Sequence, residues 1–382
     1  MTPQNILAKL VSFSVLGGQS NLSIITWIKQ YLDQYGVAYH LVPNEDATKA
    51  SLHCRIGPAV DGGVILSGHT DVVPTEGQDW HTNPFELTNT AGKVYARGSC
   101  DMKGFIACCL ASVPKMLAAD LKRPIYFAFS YDEEIGCLAG DALAQSIVDT
   151  YTEKPKFAII GEPSMMQPIV GQKGIVFCET RIYGSAGHSS RIRNEVSAIH
   201  EAARLIMWLE QKMESLYQAG YTDARFEPDH TSIHIGTIKG GIATNVIADE
   251  CSFTWDVRNI PTNSIPEIVA EFRTHCRERE QILQQRFAGA KIETTELHPP
   301  VPALDTPEHS EVVSFIQRLS GKTQLGTVAY AAEAGQFSNA GFQAVICGPG
   351  DIAQAHRANE FVAISQLVEC LQMIERLIKE FS

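Results

Sequence analysis

Short continuous apolar segments alternate with helical patterns through the first half of the chain. Residues 20–36 carry apolar side chains at helical spacing and end at Gly36, which predicts a helix, and residues 103–119 predict another. Buried strands separated by helices indicate a largely parallel sheet with helices on both faces. The predicted strands span residues 51–57, 62–71, 124–134 and 156–164, and a later one spans residues 343–350.

From about residue 175 the pattern changes to strands in which apolar and polar positions alternate. Within residues 250–259, Phe253, Trp255 and Val257 alternate with polar neighbours, which is typical of a strand with one buried face. Residues 194–217 predict a helix with an apolar stripe along one face. That stripe contains Val196, Ile199, Ala203, Ile206 and Met213.

The elements of this second part follow the order β-α-β-β-α-β, which is that of a ferredoxin-like sandwich. We therefore predict an α/β fold with a mixed, largely parallel sheet in residues 1–177 and 291–382. An inserted ferredoxin-like α+β domain is expected over residues 178–290. Its predicted elements span residues 174–187, 194–217, 231–241, 250–259, 265–287 and 291–297.

Composition narrows the class of protein. The net charge of −12 over 382 residues argues against nucleic acid or an anionic membrane as the main partner. The ten cysteines include no CxxC pair, and most have apolar neighbours, which favours reduced, buried thiols of a cytosolic protein. No signal peptide is recognisable, and no apolar run approaches the roughly 20 residues that span a bilayer. A cytoplasmic protein is expected.

Acidic and imidazole side chains follow four of the predicted strands. In open α/β sheets, ligands bind in the crevice outside the carboxyl ends of the strands, so these side chains are expected at one edge. Each short segment alone has an ordinary explanation as a capped loop or a solvated turn, but their joint occurrence favours a site. The residues are His69 and Asp71, then Asp132, Glu133 and Glu134, then Glu162, then His356, with Asp101 in a loop ahead of a helix.

Two histidines with several carboxylates suit a pair of zinc or similar divalent ions. One carboxylate can bridge both ions, which leaves one histidine and one further carboxylate for each. The set that satisfies this count is His69, Asp101, Glu134, Glu162 and His356.

Two further acids have predicted roles beside these ligands. Neighbouring side chains of an extended segment point to opposite sides, so Glu133 can face the substrate as a general base while Glu134 binds metal. Asp71 is expected to hold the second ring nitrogen of His69. Asp132 receives no role from the sequence.

These segments together resemble the M20 family of metallopeptidases and deacylases. The similarity is ordered along nearly the whole chain, and "YARGSCDMKGFIA" and "VGQKGIV" resemble the acetylornithine deacetylase branch of that family. The resemblance implies a zinc-aminopeptidase-like catalytic domain. The matching segments are "SGHTDVVP", "RGSCDMKG", "SYDEEIG", "IGEPS", "GSAGHSS", "TNVIAD" and "DVRNIP".

The resemblance also implies roles for individual residues. Two zinc ions, or cobalt, would be bound by His69 with Glu162 and by Glu134 with His356, and Asp101 would bridge them, often with a cis peptide bond after it. Glu133 would act as general base and then general acid, and Asp71 would orient His69. The inserted domain would be a lid through which a homodimer forms. His188 would stabilise the oxyanion, in cis or from the partner subunit, and Asn245 and Arg258 would hold the substrate's α-carboxylate.

The expected reaction is hydrolysis of a linear amide in a small N-acyl amino acid. For the acetylornithine branch this is removal of the acetyl group from N-acetyl-L-ornithine in arginine biosynthesis, and Glu333 is a candidate partner for the ornithine ammonium. Three alternatives remain within and beyond the family. They are a succinyl-diaminopimelate desuccinylase or another deacylase or carboxypeptidase, a dimetal phosphoesterase, and a non-catalytic metal-binding homologue.

Overall fold

The computed structural model describes residues 1–382, which separate into two compact units. The first unit contains Met1–Gly171, Leu304–Thr327 and Ala332–Ser382, and the second contains Gln172–Ala303 and Val328–Ala331. The α-helices are α1 Pro3–Val11, α2 Leu22–Asp33, α3 Lys103–Ala118, α4 Gly140–Thr150, α5 Ala198–Gln218, α6 Ile265–Gln284, α7 Glu311–Ser320, α8 Ala334–Asn339 and α9 Ile364–Phe381.

Strands of the first unit lie both before and after those of the second unit in the sequence. Short 3-10 turns are present at Ser189–Arg191 and Ile352–Gln354. The strands are β1 Tyr39–Pro43, β2 Ala50–Ile56, β3 Val64–His69, β4 Thr88–Thr90, β5 Lys93–Tyr95, β6 Ile125–Ser130, β7 Phe157–Pro163, β8 Ile169–Gln172, β9 Gly174–Tyr183, β10 Gly187–His188, β11 Ser232–Gly240, β12 Val246–Ile247, β13 Glu250–Asn259, β14 Lys291–Glu296, β15 Leu304–Asp305, β16 Gly326–Val328, β17 Gln343–Gly348 and β18 Phe361–Ala363.

The first unit is built on one mixed sheet, and this confirms the predicted α/β class. The strand order is β1-β2-β6-β3-β7-β17-β8-β15, with β16 paired to β8. Its centre is parallel, since β3 runs parallel to both β6 and β7, and β17 runs parallel to β7. Antiparallel strands extend the sheet on either side, with β2 against β6 and β8 against β17. The parallel centre brings four strand ends to one edge.

Both faces of this sheet are covered. Alternate strand positions such as Leu66, Phe127 and Ile159 join one apolar core with α1, α2, α3, α7 and α9. The intervening positions, such as Ile65 and Tyr126, are equally buried, and α4 and α8 pack on β2, β6, β7 and β17. The continuous apolar runs in the sequence follow from this double coverage. None of the helices combines the length and apolar character needed to cross a membrane.

The second unit has the predicted order of elements. Its antiparallel sheet has the order β11-β13-β9-β14, and α5 and α6 cover one face. Because β9 begins at Gly174 and pairs with β14, the unit takes in residues 172–177 and 291–303, which the sequence had assigned to the other domain. The use of this unit as a lid or in dimerisation stays a prediction.

The predicted apolar stripe of α5 is wrong at two positions, although Val196 is buried and Ile206 and Met213 pack against the core of the second unit. Ile199 is exposed, and Ala203 lies on the solvent side. The most deeply buried positions of α5 include Glu201, whose carboxylate pairs with Arg279 and Arg204. The buried residues of α5 are Ala198, Glu201, Ala202, Leu205 and Leu209.

Candidate metal centre

The parallel strands place the predicted ligands at one edge of the first unit. His69 ends β3, Glu162 lies near the end of β7, and Glu134 follows β6. His356 lies in the loop after β17, and Asp101 lies just before α3 with a cis peptide bond to Met102. These strands are neighbours in the sheet, so residues separated by up to 287 positions in the sequence come together.

The side chains form a compact cluster in which Asp101 is central. His69 Nε2 lies 3.0 Å from Asp101 Oδ1 and 3.8 Å from Glu162 Oε1. On the other side of Asp101, His356 Nε2 lies 3.4 Å from Oδ2 and 2.9 Å from Glu134 Oε2. The two carboxylate oxygens of Asp101 therefore face different histidines. This is the arrangement that a carboxylate bridging two cations requires.

The charge of the cluster fits divalent cations. Asp101, Glu133, Glu134 and Glu162 are largely buried, and their ion pairs are with imidazoles rather than with lysine or arginine. Burial, together with the neighbouring carboxylates, raises the pKa of Glu133 and of Glu162 well above the ordinary value. Burial and the charge of Asp101 raise the pKa of Glu134 to about 7. Buried carboxylates in this number are stabilised in their charged form by bound cations.

The histidines respond in the opposite sense. Hydrogen bonds to Asp101 and Glu134 raise the pKa of His356 to about 10. Burial opposes the charge on His69, but its bonds to Asp101 and Asp71 outweigh burial and raise its pKa well above 6.5. Both imidazoles thus lie in a strongly negative environment that a divalent cation would share.

Asp71 orients its neighbours through main chain and side chain. His69 Nδ1 donates to the main-chain oxygen of Asp71 at 3.0 Å, whereas the nearer carboxylate oxygen is 3.6 Å away. The carboxylate instead accepts the amides of Glu133 and Glu134, each at 3.2 Å. The predicted contact to His69 is therefore made by the main chain, and the carboxylate fixes the turn that carries both glutamates.

Glu133 lies beside the cluster with its carboxylate largely buried. Its Oε2 is 4.0 Å from His69 Nε2, and its Oε1 accepts a hydrogen bond from Cys137 Sγ at 3.4 Å. It points toward His69 whereas Glu134 points toward His356. Both glutamates therefore border the cluster, and the division into a base and a metal ligand stays a prediction.

Asp132, which the sequence left without a role, is structural. One carboxylate oxygen accepts the amide of Gly18 at 2.8 Å, and the other pairs with Lys49. Asp132 also has a left-handed φ of 54°, which turns the chain from the end of β6 toward the two glutamates. The residue therefore ties this turn to the N-terminal segments of the unit.

Sequence reasoning missed Glu360, a fully buried carboxylate behind the ligands. It accepts the amides of Gly98 at 2.9 Å, Cys100 at 2.8 Å and Asp101 at 3.0 Å, and Arg97 Nη1 at 2.8 Å. The loop that presents Asp101 is thus held by one side chain from 259 positions away. The only signal in the sequence was an isolated acid before an apolar strand, which is too common to interpret.

Glu333 lies in the same unit as the metal cluster. It is 1% exposed at the start of α8, its Oε1 has no hydrogen-bond partner, and burial raises its pKa to about 7. Its charge also contributes to the raised pKa of Glu133, so the two carboxylates are near each other. A buried acceptor without a partner is suited to a cationic group.

The remaining predicted residues lie in the second unit. His188 is exposed, and its Nδ1 accepts the amide of Ser190 at 3.2 Å. A neutral imidazole that accepts at Nδ1 carries its proton on Nε2. Asn245 is adjacent, since its carbonyl accepts the amide of Ser189 at 3.0 Å. Arg258 extends from β13, with Nε 3.6 Å from Asp256 and Nη1 3.5 Å from the carbonyl oxygen of Ala329.

Comparison with known proteins gives a consistent result. Residues 65–380 match the model of peptidase family M20/M25/M40. An acetylornithine deacetylase of Myxococcus xanthus is 32% identical over 380 residues, which cover 98% of this chain and 96% of that protein. One from Pasteurella multocida is 31% identical over 95% of this chain and 92% of its own. Among solved structures, an M20 family metallo-carboxypeptidase from Sulfolobus solfataricus has a TM-score of 0.78 at 18% identity, with 99% of each chain covered.

Proposed function

The chain belongs to peptidase family M20/M25/M40 and is a hydrolase, and we propose that it removes the acetyl group from N-acetyl-L-ornithine. The products would be ornithine and acetate, and the proposed role is in arginine biosynthesis in the cytoplasm. The observation that carries the proposal is the cluster in which Asp101 lies between His69 and His356, with Glu133 alongside. The choice of substrate rests on the similar proteins that are named acetylornithine deacetylase.

Two divalent ions, zinc or cobalt, fit the donor set. His69 with Glu162 and His356 with Glu134 would hold one ion each, and Asp101 would bridge them. Ions bound there would polarise the scissile carbonyl and acidify a bound water. All other steps belong to side chains of the protein.

Glu133 is the proposed proton carrier. Its carboxylate accepts the proton of the attacking water and then delivers it to the leaving amine nitrogen. Cys137 Sγ donates to one of its oxygens at 3.4 Å, and the other oxygen faces the metal cluster. Asp71, through the amides of Glu133 and Glu134, keeps the base and a metal ligand on one rigid turn.

Second-unit residues are proposed to bind the substrate. His188, in cis or in trans, would donate its Nε2 proton to the oxyanion. Asn245 and Arg258 would hold the α-carboxylate, for which a planar guanidinium is well shaped. The second unit is thus proposed to act as a lid and to form the surface through which a homodimer assembles.

Glu333 is the proposed partner of the ornithine ammonium. Its buried, unpaired oxygen and raised pKa leave it poorly satisfied without a cation. An ammonium group there would restore the charged form of Glu333. An uncharged side chain such as that of methionine would not.

The main rivals are a desuccinylase, another N-acyl-amino-acid deacylase and a carboxypeptidase of the same family. A succinyl carboxylate would need a further cation beside Arg258. Lys173 is near, and burial, aided by the charge of Arg258 and opposed by that of Asp229, lowers its pKa to about 8. However, its buried ammonium already donates to the carbonyl of His230 at 2.6 Å. The acetyl substrate is preferred on the names of the relatives.

The proposal is tested with protein loaded with zinc or cobalt and assayed on N-acetylornithine, succinyl-diaminopimelate and a dipeptide. N-acetylornithine should have the highest kcat/KM. Glu133→Ala should abolish turnover while the metal content equals that of the parent, which also excludes a metal-binding protein without activity. Full turnover by Glu133→Ala would refute the assigned base.

A second comparison tests Glu333. The Glu333→Gln variant should lose the preference for N-acetylornithine over N-acetylmethionine, because the amide cannot pair with the ammonium. An unchanged ratio of kcat/KM between the two substrates would refute the assignment.

A further inference from the structure

His356 differs from the other candidate ligands in its support. Its side chain is 57% exposed, whereas those of His69, Asp101, Glu134 and Glu162 are at most 7% exposed. It has a left-handed φ of 62° and lies in a loop rather than at the end of a strand. Such a residue needs contacts from elsewhere to hold its ring in place.

Gln78 supplies such a contact. Its Nε2 donates to the main-chain oxygen of His356 at 2.9 Å. Its Oε1 accepts from Trp80 Nε1 at 3.1 Å and from Arg97 Nη2 at 2.6 Å. Because both contacts to Oε1 come from donors that cannot accept, the amide can only be oriented with Nε2 toward His356.

The same segment holds the His356 loop at a second point. Asn359 Oδ1 accepts the amide of His81 at 2.8 Å, and Asn359 Nδ2 donates to the carbonyl of Asp79 at 3.2 Å. Residues 78–81 are therefore paired with residues 356–359 at both ends.

The hydrogen bonds continue from Gln78 to the other side of the metal cluster. Arg97 bonds to Gln78 through Nη2 and to Glu360 Oε2 through Nη1 at 2.8 Å. Glu360 Oε1 in turn accepts the amide of Asp101 at 3.0 Å. An unbroken series of side chains thus joins the main chain of His356 to that of Asp101. Arg97 and Glu360 are each at most 1% exposed, so the bond between them is shielded from water, whereas the bond from Gln78 to His356 is exposed.

From this geometry we propose that Gln78 is a positioning residue for the metal position that contains His356. It fixes the His356 main chain relative to Asp101. We therefore expect this position to bind a metal ion more tightly than it would without the Gln78 contact. The position built on His69 depends less on Gln78, because His69 and Glu162 lie on the buried ends of β3 and β7 and only the shared Asp101 is linked to Gln78. The inference rests on the metal cluster of the proposed function, not on the choice of substrate.

The test uses full-length, metal-free protein titrated with Zn²⁺ or Co²⁺ against a competing chelator. Gln78→Ala removes all three contacts. Gln78→Glu keeps the acceptor for Trp80 and Arg97 but loses the donor to His356. Gln317→Ala is the matched control, because Gln317 on α7 also donates from Nε2 to a main-chain carbonyl, that of Thr323, at 2.7 Å in an exposed hydrogen bond. Hydrogen exchange of residues 351–360 in the metal-free proteins gives a second readout.

The parent and Gln317→Ala should each bind two ions, and the affinities measured for the two proteins should be the same. Both Gln78 variants should bind one ion as tightly as the parent and the other about 10-fold more weakly, which is the usual effect of removing a contact behind a ligand. They should also exchange faster in residues 351–360. In the His356→Ala background, adding Gln78→Ala should weaken binding no further.

Unchanged affinities in both Gln78 variants would overturn the inference, as would equal weakening of the two ions or a further loss in the His356→Ala background. A parent chain that binds fewer than two ions would instead refute the proposed metal centre. The two failures are therefore distinguishable.

Discussion

Acidification should weaken the first unit through one buried imidazole that lies apart from the metal centre. His53 lies on β2 with no exposed surface, 3.1 Å from Tyr151 Oη and 3.0 Å from Ser146 Oγ. Burial, and then the charge of the stacked His40, lowers its pKa from 6.5 to about 4. The folded protein therefore keeps this ring neutral at a pH at which the unfolded chain protonates it.

The sign and size follow from this difference. Because the unfolded state binds the extra proton, stability is full above pH 6.5 and falls as the pH decreases from 6.5 to about 4. Linkage gives a loss of about 2 kcal/mol between pH 7.5 and pH 5 from this residue alone. No further loss is expected from His53 below pH 4, where both states are protonated.

The assay is urea unfolding of metal-free protein at pH 7.5, 6 and 5, with hydrogen exchange of β2 amides reporting on the first unit. The parent is compared with His53→Gln, which cannot titrate, and with His309→Gln, an exposed histidine, as control. The free energy of unfolding of His53→Gln should decrease by about 2 kcal/mol less than that of the parent between pH 7.5 and 5. Parallel decreases in the parent and His53→Gln would refute the reasoning.

Three further predictions concern the metal centre. Glu360→Gln should lower the free energy of unfolding of the first unit, measured in urea, by about 3–5 kcal/mol, because Arg97 is left buried without its counter-ion. Adding Arg97→Met should recover part of that loss, and strictly additive effects of the two substitutions would contradict this reasoning. Gly161→Ala should lower the free energy of unfolding by about 1–3 kcal/mol, since the new Cβ would lie 2.1 Å from the Phe105 ring. Adding Phe105→Leu should restore stability, and an unchanged free energy of unfolding in Gly161→Ala would contradict the prediction. Zinc at 100 times its Kd should stabilise the metal-free parent by about 2.7 kcal/mol per site, measured as a rise in Tm that Glu134→Ala reduces.

Local patterns were sufficient for much of the fold. Apolar runs marked β3, β6, β7 and β17, because strands buried on both faces have few polar positions. The alternation at Phe253, Trp255 and Val257 marked a strand with one covered face, and all three are buried. The helix α5 was predicted but its buried face was not, because an inward Glu201 reads as polar until Arg279 is known to meet it.

The candidate site divides in the same way. The sequence alone determined which acids and histidines follow the strand ends, because that information is carried by a few adjacent residues. Only the tertiary structure decided how they are held. It placed the Asp71 main chain against His69, Glu360 behind Asp101, and Gln78 against His356, across separations of up to 278 positions. Hydrogen bonds between distant segments leave no periodic trace in a sequence, since any polar residue can make them once the fold brings a partner within 3 Å.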